Sequence, residues 1–278
     1  MNDGPSMRDL LRVDPDAGAI LPGIDPAGTP GVKDRETAEA GRAELSERIH
    51  GLQERLFVED RRSVLVVLQA MDTGGKDGTI EHVFGTMNPA GVDVAAFKKP
   101  TEEELAHHFL WRIERRLPAP GQIMIFNRSH YEDVLIVRVH ALVPEDVWRG
   151  RFDEIDAFEA RVAASGTTIV KCFLHISYEE QRERLLARLD DPDKHWKFNE
   201  ADIDERARWA DYQAAYEDAI RRCSTEAAPW YVVPADRKWY RNWAVASLLA
   251  ESLEEMDPSY PRPELDVDAL KARLAPPH

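Results

Sequence analysis

A chain of 278 residues can bury a large core, as one domain or two, and 43% hydrophobic with 31% charged residues is the composition of a soluble globular protein. No apolar run approaches the ~20 residues that span a bilayer, so a membrane protein is excluded at this level. A formal net charge of −15 argues against nucleic acid as a partner, yet leaves room for an anionic small substrate in a local basic cleft.

The N-terminal "MNDGPSMRDLLRVDPDAG" is acidic and lacks the apolar stretch of a secretory signal. Residues 1 to about 33 are rich in Pro, Gly and Asp and read as an irregular arm, lying on the surface or on a neighbouring subunit. From 34 to about 57, Leu45, Ile49, Leu52 and Leu56 recur at helical spacing and predict an amphipathic helix.

Strands and helices then alternate. "SVLVVLQA" (63–70) is a continuous apolar run, as expected of a strand buried on both faces. Further strands are expected at 92–97, 121–126, 167–176 and 230–235. Helices are expected at 76–87, 144–164, 178–189, 201–223 and 237–256. Another is expected at 101–117, opened by a Thr101/Glu104 capping box and carrying a Leu105, Phe109, Ile113, Leu117 stripe. This alternation predicts an α/β fold with right-handed crossovers and a parallel sheet. A main domain over 34–260 and a tail over 261–278 complete the division. Cys172 and Cys223 make no metal spacing and are expected as thiols in a cytoplasmic protein.

The chemistry-bearing residues fall just after strands, where the carboxyl ends of a parallel sheet share one edge and ligands bind. "AMDTGGKDGT" (70–79) resembles a phosphate-binding loop that has lost its first glycine to Ala70 and its hydroxyl residue to Asp77. Gly74, Gly75 and Gly78 permit close backbone approach, Lys76 adds a mobile charge, and Thr79 follows. Asp72 and Asp77 would repel phosphates unless a divalent cation stood between, which makes Asp72 a metal ligand. Asp77 reads equally well as a favourable first-turn helix charge.

"FNRSHYEDVL" (126–135) places Asn127 where an acid is usual, with Glu132 able to supply the missing charge at a metal. Ser129 and Glu132 also have capping-box spacing, so Glu132 could simply close a helix start. Arg128 suits phosphate oxygens with its planar fork. Lys98 and Lys99 end the second strand on the ligand edge. Arg184, Arg188, Lys194 and Lys197 lie around a Pro-containing turn between long helices, the pattern of a lid over about 184–223 that excludes water. Trp196 within it reads as a packing anchor. No zinc spacing and no acyl-transfer elbow occurs, so metal-hydrolase and acyl-transfer readings are weak.

Together "MDTGGKDGTI", "FKKPTEEE", "FNRSHYEDVL" and "DPDKHWKFNEADIDER" strongly resemble the polyphosphate kinase 2 family, over about residues 35 to 260. The resemblance implies a three-layer α/β/α sandwich, P-loop kinase-like and akin to thymidylate kinase, with a helical lid. It implies phosphoryl transfer between inorganic polyphosphate and adenine nucleotides, with guanine nucleotides as a further substrate. Mg2+ would be the cofactor, with Mn2+ as a substitute, and the assembly a homodimer or homotetramer. By position, Asp72, Lys76, Arg128, Glu132 and Arg188 become catalytic, Asp72 and Glu132 the metal ligands. Gly74, Gly75, Asp77, Gly78, Thr79, Lys98, Lys99, Asn127, Arg138, Lys194 and Lys197 become substrate contacts. Many members acting on diphosphates carry Asp at the position of Asn127. The present version resembles the subgroup that also accepts monophosphates, with Glu132 compensating. The rival expectations are an ATP-dependent nucleoside monophosphate kinase and a non-catalytic polyphosphate- or nucleotide-binding regulator.

Overall fold

Five parallel strands build one sheet: β1 (Ser63–Ala70), β2 (Val92–Ala96), β3 (Ile123–Asn127), β4 (Thr167–His175) and β5 (Trp230–Pro234), in the order β2-β3-β1-β4-β5. The computed structural model describes residues 4–274. All eight residues of central β1 are buried, which is why that run is mostly apolar rather than alternating, with Ser63 and Gln69 its buried polar members. β2 lies at an edge and leaves Val94 exposed. The register pairs Leu68 with Asn127, Ala96 with Asn127, Ala70 with Leu174 and His175 with Pro234. The carboxyl ends of all five strands therefore share one rim.

Helices cover both faces. On one face of β4, Lys171 reaches Glu159 of the Glu145–Ala164 helix, and Phe173 packs on Tyr216 of the Trp209–Arg222 helix. Alternation turns Val170, Cys172 and Leu174 to the other face, where the Arg42–Glu59 and Lys238–Met256 helices pack together. Leu45, Ile49, Leu52 and Leu56 are all buried, as their spacing requires. Both cysteines are buried and free. Among the described residues, no helix is long and apolar enough to cross a membrane.

Several expected elements differ. The arm does not lie loosely on the surface. Met7, Leu11, Val13, Ile20 and Leu21 are buried in this chain's own core, and Arg12 bridges Tyr231 of β5. Residues 1–3 of the arm and 275–278 of the tail lie outside the described residues; the tail holds an exposed Val267–Leu274 helix.

The expected helix at 101–117 is two short ones, Glu102–Leu105 and Trp111–Glu114. The Thr101/Glu104 capping box is present, but the chain turns where His107 stacks on Trp111 and His108 bonds Glu154 at 2.7 Å. Leu105 is left 68% exposed while Ile113 is fully buried, so the stripe does not face one surface. The helix after the loop is α-helical only over Lys76–Thr79 and widens to a π-turn over Ile80–Phe84, ending before Met87. The 201–223 helix divides at Arg208 into Ala201–Ala207 and Trp209–Arg222.

Candidate active site

The turn after β1 is shaped by two residues in left-handed backbone conformations, Thr73 at φ 63° and Gly75 at φ 99°. Glycine adopts this freely, whereas a β-branched threonine there is strained by about 1–3 kcal/mol. Gly75 is also fixed by space, since a Cβ there would overlap the Arg241 guanidinium. Arg128, at the end of β3, is likewise at φ 63°. Its backbone N–H donates to Leu68 O at 3.1 Å, and its side chain turns back across the rim to Asp72 Oδ1 at 3.2 Å. Two non-glycine residues in left-handed conformations, Thr73 after β1 and Arg128 after β3, lie beyond the ends of neighbouring strands and mark the place where geometry is held against its own preference.

The sheet rim brings together Asp72, Lys76, Asp77, Asn127, Arg128 and Glu132. The Asn127 amide donates to Asp77 Oδ1 at 2.6 Å. Lys76 Nζ donates to Ala70 O at 3.2 Å, an oxygen that also accepts from Tyr216 Oη at 3.1 Å. Burial, then the Arg128 guanidinium, lower the Lys76 pKa below the usual lysine range, while Asp72, Glu132 and Asp77 pull it upward. For Arg128 burial acts downward, but Glu132 and Asp72 outweigh it and hold the guanidinium firmly charged. Two cations and three carboxylates thus act on one another across the rim, the mixture that a metal-bearing phosphate site needs.

Glu132 is half-buried and does not close a capping box. Ser129 instead accepts from Tyr131 N at the start of a short 3-10 turn, His130–Asp133, leaving the Glu132 carboxylate available to the rim. Thr79 is fully buried, with its hydroxyl donated to Gly75 O at 3.1 Å, so it braces the loop from behind. Asp77 stands in the first turn of its helix and is exposed.

The remaining expected site residues are dispersed. Lys98 and Lys99 are exposed beyond β2, and the Lys98 carbonyl is fixed by Arg112 at 2.9 Å. Arg188 is half-buried, donating to Lys197 O at 3.1 Å and pairing with Asp202 at 3.5 Å. Burial, then the Asp72 charge, raise the Asp202 carboxyl, which ties this helical hairpin to the rim. Arg138 is spent on Asp218 at 2.6 Å and on the Trp148 ring at 4.8 Å. Lys194 pairs with Asp191 at 2.5 Å, and Lys197 lies over Trp196. Trp196 is no packing anchor: it is 78% exposed.

Arg184 departs most from its expected place among the lid bases. It is buried, donating to Thr73 O at 2.9 Å, Ala235 O at 2.6 Å and Asp236 O at 3.0 Å while paired with Glu180 at 2.7 Å. It clamps the phosphate loop to the end of β5. Gln181 adds a 3.0 Å bond to Asp72 O. Gln181, Tyr216 and Arg241 were not expected from sequence; a polar residue on an apolar helical stripe was the available signal for Gln181.

Among the described residues, no group of three or more His, Cys, Asp or Glu side chains is gathered as a metal cage. The donor set still suits Mg2+, which is commonly held by one or two carboxylates together with substrate phosphates rather than by an all-protein cage.

The family model described as Polyphosphate kinase 2 (PPK2) matches residues 32–261. The AMP/ADP-polyphosphate phosphotransferase of Meiothermus ruber is 53% identical over 254 residues, 91% of this chain and 95% of that protein. The ADP-polyphosphate phosphotransferase of Rhodopseudomonas palustris is 47% identical over 227 residues, 77% of this chain and 78% of that protein. The crystal structure of polyphosphate kinase 2 from Arthrobacter aurescens TC1 superposes with a TM-score of 0.94 at 46% identity, covering 97% of this chain and 96% of that one. A rim of carboxylates and cations around a lysine-bearing loop, on this sheet and with these relatives, makes the chain a member of the polyphosphate kinase 2 family.

Proposed function

We propose that this enzyme transfers a phosphoryl group between inorganic polyphosphate and the adenine nucleotides AMP and ADP. The observation that carries the reading is the meeting of Asp72, Lys76 and Arg128 at one strand rim, beside a glycine turn that exposes backbone N–H groups. Transfer of this kind needs little covalent help from the protein; it needs alignment and neutralisation of charge on the moving phosphoryl group.

In this reading Lys76 and Arg128 contact the transferring phosphoryl, and the loop amides hold the phosphate behind it. Asp72 and Glu132 would hold Mg2+, with Mn2+ as a substitute; the ion would neutralise the bridging oxygens. Asn127 keeps Asp77 in place beside them. No protein nucleophile is involved. His130 is buried against Glu159 at 3.0 Å and His140 is held by Glu205 at 2.9 Å, so neither points a free imidazole at the rim. The hairpin carrying Arg188, Lys194 and Lys197 serves as a lid that excludes water. Lys98 and Lys99 serve the nucleotide from the β2 side. The name of the Meiothermus ruber relative favours acceptance of both AMP and ADP here. The reading includes guanine nucleotides as secondary acceptors, a cytoplasmic setting, and assembly as a homodimer or homotetramer, which light scattering would measure.

The test is direct. With Mg2+ and polyphosphate, AMP is expected to yield ADP and ATP, and ADP to yield ATP, by chromatography of the nucleotides. An enzyme that makes neither product, but phosphorylates AMP from ATP in polyphosphate-free buffer, is an ATP-dependent kinase instead. Tight polyphosphate binding with no turnover of any nucleotide identifies a regulator.

A further inference from the structure

The turn after β1 is gripped by one helix, Tyr178–Leu189, at two consecutive carbonyls. Gln181 Nε2 donates to Asp72 O at 3.0 Å, and Arg184 Nη1 to Thr73 O at 2.9 Å. At i and i+3 these two side chains share one helix face. Their other contacts differ. Arg184 turns to the end of β5, whereas Gln181 turns to the helical hairpin. Its Oε1 accepts from Arg206 Nη1 at 3.0 Å, and the same nitrogen donates to Tyr178 O at 2.6 Å. The Arg206 guanidinium lies on the Tyr178 ring, 3.4 Å from its centroid. Arg206 belongs to the Ala201–Ala207 helix, so a single amide joins the hairpin to the backbone of Asp72.

Only one arrangement of that amide works. A carbonyl can only accept and a guanidinium can only donate, so the group between them must donate at one end and accept at the other. Gln181 is 1% exposed, and a seated Arg206 leaves its amide a single orientation. The Arg206 charge also polarises the amide and strengthens its donation to Asp72 O. That oxygen belongs to the peptide preceding Thr73, whose φ of 63° is held against preference. Released from Gln181, the peptide can rotate to relax Thr73, and the Asp72 carboxylate, 3.2 Å from Arg128, swings with it. The helix that carries Arg206 also carries Asp202, one turn earlier and 3.5 Å from Arg188. Its seating therefore bears on Arg188 and Asp72 together.

We propose that Gln181 is a positioning residue for Asp72 and that Arg206 sets it, so that the hairpin and the acid-bearing turn become ordered together. With the Ala201–Ala207 helix seated, Arg206 orients the amide, the amide fixes the Asp72 carbonyl, and the carboxylate is held toward the rim. With that helix displaced, the amide loses its orienting partner and Asp72 loses its brace. One consequence rests on the proposed reading in which Asp72 holds Mg2+: Asp72 then grips the ion firmly only while the hairpin is seated.

The test compares Gln181→Met, Arg206→Met and the double variant of the full chain. The first readout is hydrogen exchange of the Gly74 amide, which donates to Met71 O at 3.0 Å, followed by NMR in EDTA so that no metal takes part. Exchange should quicken about fivefold in Gln181→Met, the factor that a typical hydrogen bond is worth. It should quicken comparably in Arg206→Met, although that residue bonds the hairpin side of Gln181 and not the turn. The double variant should be no faster than Gln181→Met, because both changes cut one chain. A merely structural arginine would loosen the hairpin and leave Gly74 as it was. The second readout is Mn2+ affinity with tripolyphosphate, which should fall about tenfold in Gln181→Met. The inference is overturned if Gly74 exchange in Arg206→Met matches wild type, if the two effects add, or if Gln181→Met binds Mn2+ as wild type does. Wild-type protein that holds no Mn2+ with tripolyphosphate would sink the metal reading instead, and exchange in EDTA would still decide the coupling.

Discussion

The Asn127 side-chain amide donates to Asp77 across 2.6 Å, joining the end of β3 to the first turn after the phosphate loop. The amide gives Asp77 a neutral partner when no cation is bound. Asn127→Asp would set two carboxylates against each other, a pair that tolerates ionisation only with a cation between. In EDTA the variant is expected to lose about 1 kcal/mol, roughly 2–4 °C in Tm for a chain of this size. Mg2+ should restore stability more strongly than it does in wild type. Thermal denaturation with and without Mg2+ measures this. Equal stability in EDTA with no larger Mg2+ response would contradict the role given to the pair.

Lys76 carries a pH signature with a definite sign. Its folded-state pKa lies below the ordinary lysine value of ~10.4, because burial and Arg128 outweigh the three acids. Between those two values the unfolded chain binds more protons than the folded one, so this residue makes stability rise with pH across that window. Activity runs the opposite way, since the neutral amine cannot neutralise a phosphoryl oxygen. Bound polyanion raises the Lys76 pKa again, so the alkaline limb of kcat should lie at higher pH than that of kcat/KM. Lys76→Arg, which keeps its proton, should flatten both limbs, and Lys76→Ala should cost ~10²–10³ in kcat with the fold intact. Identical alkaline limbs in wild type and Lys76→Arg would remove Lys76 as their source.

Beneath the rim, Lys171 of β4 is fully buried and donates to Glu159 Oε2 at 2.5 Å, Tyr131 Oη at 2.8 Å and Cys223 O at 2.6 Å. Burial pushes the Glu159 carboxyl up, but Lys171 and His130 outweigh it and hold it below its usual range. The network underlies the 129–133 turn that carries Glu132. Lys171→Met alone should cost ~3–5 kcal/mol by stranding a buried carboxylate, and Lys171→Met with Glu159→Leu should recover much of it. Thermal denaturation of the singles and the double decides the matter; strictly additive losses would mean the two charges are not coupled.

Much of this architecture is legible in the residue pattern. The strands are short apolar runs ending at polar clusters, and β1 reads correctly because its apolar residues outweigh the buried Ser63 and Gln69. The rim residues Asp72, Lys76, Asn127 and Arg128 are found because strand ends in a parallel sheet must converge. The 101–117 helix is misread because periodicity cannot see His107 and His108 finding partners that favour a turn. Arg184 looks like one more base on a polar helix; only the folded chain shows that it reaches three carbonyls. Arg241 follows the loop by more than 160 residues in a helix of ordinary composition, and its meaning lies entirely in what it touches. Buried charges such as Lys171 and Glu159 are invisible for the same reason. Their partners are chosen by packing, not by spacing.

The account turns on Asp72 linking a divalent ion to the phosphate chain. Mn2+ affinity, read by electron paramagnetic resonance in the presence of tripolyphosphate, tests this most directly, with Asp72→Asn beside the wild type. Wild type should hold Mn2+ with resolved coupling to phosphorus. Asp72→Asn should bind the ion at least tenfold more weakly and lose turnover with polyphosphate and ADP. An Asp72→Asn protein that binds Mn2+ with the same phosphorus coupling and turns over at the wild-type rate would contradict the account.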